Sequence, residues 1–425
     1  MKKKKAPLGR RMKEFVKTSV VWGPLDHNLF FTIIFLNVYG IIMVYSASYN
    51  NSITKNYSYF MNNQLKNVIF GFVIMIVASY VNYHRIVRLG WGWFWLLAAV
   101  AIIAALKTPL AHSELGATRW IKLGPVSFQA AEPIKAAIII FFAYYVSYWG
   151  LNRWYNQLLA CLLAIALLGF LFFFSNNLST VIVLFCICAV IILSSVKKPD
   201  LYWYFLLGLA LIIIAAIFVT VYLWMHQGAE NFRFVRIRAW LHPEEYAADE
   251  GLQAMQARYA IGAGGFWGKG LGQSLIKFKL SYSYNDFILA IICEELGVFG
   301  VIVMMTLFGY LLYRIYKIAQ NAWDIEGKVL AIGVFTQIAL QLLINVMVVT
   351  SVIPTTGVTL PFFSAGGTSV VFLLAELGMV LNVDKYAKER RFFEEAERHV
   401  AQMEQRGGIG AAGWRRRLDS ARTRR

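Results

Sequence analysis

Residues 233–300 read RFVRIRAWLHPEEYAADEGLQAMQARYAIGAGGFWGKGLGQSLIKFKLSYSYNDFILAIICEELGVFG. As far as Asn285 this stretch is polar, charged and rich in glycine, and from Asp286 onward it is apolar. Outward from it, on both sides, apolar run follows apolar run, several reaching the roughly 20 residues a helix needs to cross a bilayer. Membrane spans tolerate few charges, so the polar insert between them is where chemistry would be placed.

Composition agrees. Of 425 residues, 59% are hydrophobic and 15% charged, with mean hydropathy +0.56. A soluble domain carries about a quarter charged residues. The long solid runs exclude a transmembrane β-barrel, whose strands alternate. We expect an all-α polytopic membrane protein of about ten transmembrane helices. The expected spans are Leu29–Ser46, Val68–Val81, Gly92–Leu106, Ile134–Trp149, Leu158–Phe174, Leu178–Leu193, Leu201–Trp224, Asp286–Tyr313, Val329–Thr350 and Thr368–Leu381.

Charge orients these spans. The basic N-terminal tail should be cytoplasmic, and Arg85, Arg88, Arg153, Lys197, Lys198, Arg314, Lys317 and Lys328 then fall in loops on the same side. The loops Ser175–Asn177 and Ser351–Ser364 hold no Lys or Arg, as outside loops should. Both termini are expected in the cytoplasm. The large loop 226–285, between helices 7 and 8, is expected on the extracytoplasmic face. The chain thus divides into a basic tail, 1–28, a membrane domain, 29–382, and a charged tail, 383–425. Of the net charge of +18, Met1–Lys17 carries +7 and Asp384–Arg425 carries +5. Basicity held in tails beside spans speaks for topology and anionic headgroups, and against nucleic acid.

Other chemistry is excluded similarly. The four cysteines lie in apolar runs, so no disulfide framework is implied. The six histidines are scattered and form no metal-ligand spacing with them. The run Gly262–Gly272 fails as a phosphate loop: Ala263 stands for the first glycine, and Gly270 follows Lys269 where Ser or Thr is needed. A tight or re-entrant loop is expected there.

Two further stretches, Lys107–Glu132 and Pro354–Ser369, are rich in Gly and Pro and so not regular helix throughout. Irregular backbone at membrane depth must be packed in protein or line a wet cavity. With the large insert they gather on one side.

Asp286 is the foremost candidate. It reads equally as a helix cap or first-turn acid, and as a partly desolvated carboxylate able to act as a general base. Glu294 and Glu295 lie about 12–14 Å further along an ideal helix. Either Glu294 faces the same cavity or, as we expect, both glutamates are structural partners of a cation or amide. Glu132 and Lys135, three apart, form either a local ion pair or, with Arg119, a phosphate contact. Arg233, Arg236, Arg238, Lys277 and Lys279 add cations that suit a phosphate-bearing substrate or lipid headgroups. Gln337, Gln341 and Asn345 recur every four residues, a stripe for interhelical hydrogen bonds.

These motifs together resemble the SEDS family of FtsW, RodA and SpoVE. The likeness runs from about Leu29 to Leu381. It rests on AIGAGG, GKGLGQS and Lys277, on NDFILAIICEELGVFG, on GATRWIKLG with FQAAE, and on PTTGVTLPFFSAGGTS. MVYSAS and the last motif look more like the division and sporulation branches. The sequence departs from the family at Leu280-Ser281-Tyr282 and Tyr284-Asn285, at Gln129-Ala130-Ala131, and at Asn177, which stands where the family has an acid.

The resemblance implies a peptidoglycan glycosyltransferase that polymerises lipid II into glycan strands outside the bacterial cytoplasmic membrane. A class B penicillin-binding protein and other division or elongation proteins would be its partners. It places the essential aspartate on Asp286 and substrate contacts on Arg119, Trp120, Glu132 and Lys135. Lys277, Ser364 and Thr368 are expected to add to these contacts. No dedicated metal site is expected, although a divalent cation (Mg or Mn) could assist at the pyrophosphate. The competing readings are a lipid II flippase and a non-catalytic divisome scaffold.

Overall fold

The computed structural model describes residues 23–48, 59–88, 92–109, 111–114, 117–124, 126–175, 177–196, 232–246, 251–278, 285–364, 367–405 and 414–415. Helices stand where the apolar runs predict them: α1 His27–Ser48, α2 Tyr59–Tyr80, a short α3 Tyr83–Val87, and α4 Trp93–Ala105. After a small sheet come α5 Ala131–Trp149, α6 Trp154–Ser175 and α7 Leu178–Ser195. The insert contributes α8 Phe232–Leu241 and α9 Leu252–Gly264, and the chain ends in α10 Ile288–Asn321, α11 Ile325–Val349 and α12 Thr368–Gln405. Six of these, α1, α2, α6, α7, α10 and α11, are long and apolar enough to cross a membrane. The expected seventh span, Leu201–Trp224, lies outside the described residues.

Two expectations change. The fold is not purely helical: Ala111–Glu114 (β1), Ala117–Leu123 (β2) and Val126–Gln129 (β3) form an antiparallel sheet in that order. The turn at Gly124 returns the chain, so part of the stretch Lys107–Glu132, expected as irregular, is a hairpin. Phe128 of β3 meets Phe372 of α12, ring centroids 6.4 Å apart. The second change is in α12, which runs unbroken for 38 residues through the position where the last span was expected to end. Polarity changes near Leu381, but no Pro follows and the next Gly after Gly378 is Gly407, beyond the helix end, so the solvent changes while the helix does not.

The bundle closes by small-residue contact and buried amides. A Cβ on Gly378 would lie 2.5 Å from the Met75 carbonyl oxygen, so α12 and α2 approach as closely as they do because that position has no side chain. At the far end of that pair, Asn382 donates to the Ser79 carbonyl (2.8 Å) and accepts from the Tyr83 amide (3.0 Å). Asp324, which caps α11 through the Gly327 amide (2.8 Å), also takes the Tyr83 hydroxyl (2.9 Å) and a ring nitrogen of His84 (2.5 Å). Arg88 grips Glu326 (2.9 Å), and Arg314 pairs with Asp26.

Where α10 enters the bundle it is broken. Gly297 takes φ 64°, ψ −163°, a region closed to side-chain-bearing residues. The glycine-rich loop after α9 inserts against this break. Lys269 and Gly270 amides donate to the carbonyls of Glu294 and Glu295 (2.9 Å each), and Val298 and Phe299 amides return to Gly265 and Phe266 (3.1 Å each). The loop is thus packed in protein, as irregular backbone beside a span must be.

Candidate functional site

Three polar features were expected to gather, and their described parts do. Trp240 of α8 donates its indole N–H to the Ser351 carbonyl (2.9 Å), joining the insert to the loop after α11. Gln129 at the end of β3 meets Gly357, Val358 and Thr359 of that loop around a small, partly open pocket. Glu132, Lys135, Asn177 and Gln341 share its lining. A second small pocket shares Glu132, Gln341 and Thr359 and extends to Ser364 and Ser369.

Glu132 and Lys135 come together as an ion pair, 2.9 Å apart, and both are almost wholly buried. Their spacing on the first turn of α5 sets them on one face, and the two cavities keep that face polar. Asn177 accepts from the Thr180 amide (3.4 Å) as the cap of α7, which an amide oxygen does as well as the family's carboxylate. Trp120 sits on β2 opposite His112 and Gln129, half-buried. Arg119 is its neighbour on that strand, but the arginine side chain lies outside the described residues, as do the Arg233 side chain and Lys279.

Asp286 lies in the turn 285–287 just ahead of α10 and is half-buried. Its backbone carbonyl accepts from Asn345 Nδ2 (2.9 Å), which also donates to the Val358 carbonyl (2.9 Å). One residue earlier, the Asn285 carbonyl accepts from the Ser364 hydroxyl (2.8 Å). Through these bonds Asp286 is tied to the same loop that lines the cavities. Thr368, expected beside them, opens α12 with its hydroxyl buried and without a hydrogen-bond partner.

Lys277, expected to meet substrate, has its ammonium 2.7 Å from the Gly272 carbonyl, 3.3 Å from that of Ser46 and 3.5 Å from the Glu295 carboxylate. Glu294 and Glu295 are structural, as expected. Glu294 binds Lys269 (2.7 Å), the Ser274 hydroxyl (2.5 Å) and the amides of Leu275 (3.2 Å) and Ile276 (3.3 Å). Glu295 takes the Ser46 hydroxyl (2.5 Å) and the Ser274 amide (3.3 Å). Ser364, expected to meet substrate, lines the second pocket, and its hydroxyl donates to the Asn285 carbonyl and accepts from the Leu360 amide (2.7 Å).

Three buried acids, Asp26, Glu326 and Glu376, belong to none of the motifs above, and the last of them lies near the pockets. Glu376 of α12 is 1% exposed, accepts from Gln337 (2.8 Å) and lies within electrostatic reach of Glu132 and Lys135. An acid inside FLLAELGMVL was the available signal. Among the described residues no three His, Cys, Asp or Glu side chains are grouped to hold a metal ion.

A model of the cell cycle protein family that groups FtsW, RodA and SpoVE matches residues 26–389. Among curated relatives, the probable peptidoglycan glycosyltransferase FtsW of Geobacter sp. (strain M18) is 31% identical over 359 residues, 82% of this chain and 94% of its own. The stage V sporulation protein E of Bacillus subtilis (strain 168) is 33% identical over 373 residues, 84% of this chain and 96% of its own. Among solved structures, a peptidoglycan synthase complex described by its coordination of polymerization and crosslinking has a chain that superposes with TM-score 0.72 at 23% identity, covering 86% of this chain and 99% of that one. The rod shape determining protein RodA of Thermus thermophilus gives 0.62 at 22%, covering 86% and 98%.

Proposed function

The chain belongs to the FtsW/RodA/SpoVE cell cycle protein family, and on that premise we propose that it is a peptidoglycan glycosyltransferase. It polymerises lipid II into glycan strands at the outer face of the bacterial cytoplasmic membrane. The observation that carries this reading is Asp286, half-buried and tied through Asn345 and Ser364 to the loop 351–364, which with the buried Glu132–Lys135 pair lines the first pocket. A carboxylate there is partly withdrawn from water, and the loop that holds it also borders a cationic group suited to phosphate.

In the reaction, a sugar hydroxyl of one lipid-linked unit attacks the anomeric carbon of the other. The new C–O bond forms as the bond to the lipid pyrophosphate breaks, and Asp286 takes the hydroxyl proton. Lys135, with Arg119 from β2, stabilises charge developing on the leaving pyrophosphate. The activated donor supplies the driving force. A divalent cation would be held by the pyrophosphate and not by a protein cage, and no step depends on it here.

The wider assignment follows the same premise. Ten spans place the insert 226–285 outside and both tails in the cytoplasm, and a class B penicillin-binding protein is the partner that cross-links the product. The likeness to a chain of the synthase complex supports that pairing. One observation favours a flippase instead: Gln337 and Glu376 carry polar groups further into the bundle. Neither lines the two pockets described above.

The test is polymerisation of purified lipid II by the protein with its penicillin-binding partner, wild type against Asp286→Asn. Glycan chains from the wild type and none from a folded, partner-binding Asp286→Asn support the reading. Equal chains from both remove Asp286 from the role of base. Lipid II crossing vesicles without polymer formation supports the flippase.

A further inference from the structure

Asp286 stands outside the helix it precedes. Helix α10 begins at Ile288, and the Ala290 amide bonds the Phe287 carbonyl (2.9 Å). The regular ladder therefore does not reach back to the carbonyls of Asn285 and Asp286. Both take side-chain donors from elsewhere in the chain. Asn345, wholly buried on α11, donates one amide group to the Asp286 and Val358 carbonyls (2.9 Å each). Ser364, 2% exposed, donates to the Asn285 carbonyl (2.8 Å) and accepts from the Leu360 amide (2.7 Å).

A carbonyl fixes its whole peptide plane, because the peptide unit does not rotate internally. The planes on both sides of the Asp286 Cα are therefore pinned, and with them the direction in which its side chain leaves the backbone. Each clamp also holds the loop 351–364, at Val358 and at Leu360. We propose that Asn345 and Ser364 are positioning residues for the transfer, fixing the Asp286 carboxylate relative to the substrate cavity and making that loop and the base one rigid unit. The proposal rests on Asp286 being the base.

Positioning of a catalytic group acts on turnover, and a misplacement of about 1 Å costs on the order of 10²-fold. Full-length Ser364→Ala and Asn345→Asp, each with the penicillin-binding partner, are compared with wild type, Asp286→Asn and Ser364→Thr in lipid II polymerisation. Asn345→Asp keeps the side-chain shape and loses the donor group. Both donor-deleting variants are expected to lose about 10²-fold in kcat, with KM for lipid II within about twofold of wild type. Ser364→Thr, which retains the hydroxyl, is expected to recover most of the rate.

The outcomes separate. A wild type that makes no glycan, or an Asp286→Asn that makes as much, overturns the underlying reading and this proposal with it. An inactive Asp286→Asn beside folded Ser364→Ala and Asn345→Asp with wild-type kcat overturns the positioning alone. So does a loss confined to KM, which would make Ser364 a substrate contact. If Ser364→Ala does not fold, Asn345→Asp decides by the same criteria.

Discussion

Lys277→Met separates two roles for one cation. In the structure the Lys277 side chain is 1% exposed, with its ammonium on the Gly272 and Ser46 carbonyls at 2.7 and 3.3 Å and on Glu295 at 3.5 Å. Methionine fills much of the same space and removes every one of those bonds. Deleting one partner of a buried ion pair costs about 3–5 kcal/mol, chiefly because the other charge is left behind. Glu295 would keep the Ser46 hydroxyl and the Ser274 amide, and its separation from the ammonium is already long. The low end, about 3 kcal/mol, is therefore expected. For a chain of this size that lowers the apparent melting temperature by on the order of 5 °C. Lys277→Met combined with Glu295→Gln should recover more than half of the loss, since no carboxylate is then stranded. The assay is thermal unfolding in detergent, beside lipid II binding by the same preparations. A Lys277→Met protein that melts with wild type yet binds lipid II more weakly would refute the structural role and return the ammonium to the substrate.

Gly297→Ala should be at least as damaging: its Cβ would lie 2.4 Å from the Gly268 nitrogen and the Phe266 oxygen, both backbone atoms. With the unfavourable φ/ψ added, a cost of about 3 kcal/mol or more is expected, read as faster proteolysis of the loop 265–275. Asp324 should set an acid limit on stability. Burial pushes its carboxyl up, but the His84 and Tyr83 side chains and the Gly327 amide outweigh burial and hold it below the usual carboxylate range. A group depressed on folding stabilises above its unfolded value and loses that contribution as pH falls, here from about pH 4 downward. Asp324→Asn should therefore flatten the melting-temperature curve below about pH 4, and an unchanged acid limb would count against it.

Helix positions were readable because an apolar run of span length has few other solutions in lipid. The start of α10 and the prominence of Asp286 were readable for the same reason, as an acid at the edge of such a run is conspicuous, whereas the break at Gly297 inside the helix was not. The long-range partners of Lys277 were not legible: Glu295 lies 18 residues on, and the Ser46 carbonyl 231 residues back. The bonds of Ser364 to Asn285 and Leu360 were hidden likewise, because they exist only once the loop is folded over α10. The sheet was not legible because Gly124 is loop composition as well as the turn residue that follows β2. Glu376 was hidden by its surroundings, one acid whose partner Gln337 comes from another helix.

The loop wedged against the Gly297 break bears on how the chain is made. Glu294 and Glu295 are adjacent acids in an apolar helix, and each left bare at the bilayer centre would cost roughly 3 kcal/mol to insert. Among the described residues, every side-chain donor to them precedes them in the chain: Ser46 first, then Lys269, Ser274 and Lys277. A ribosome working from the N-terminus delivers the donors before the acids. The carboxylates can then enter the membrane already paired, as part of a preassembled hairpin. In a permuted chain whose synthesis began at Ile288, the same contacts would arrive in the opposite order, and the acids would have to wait for them in lipid.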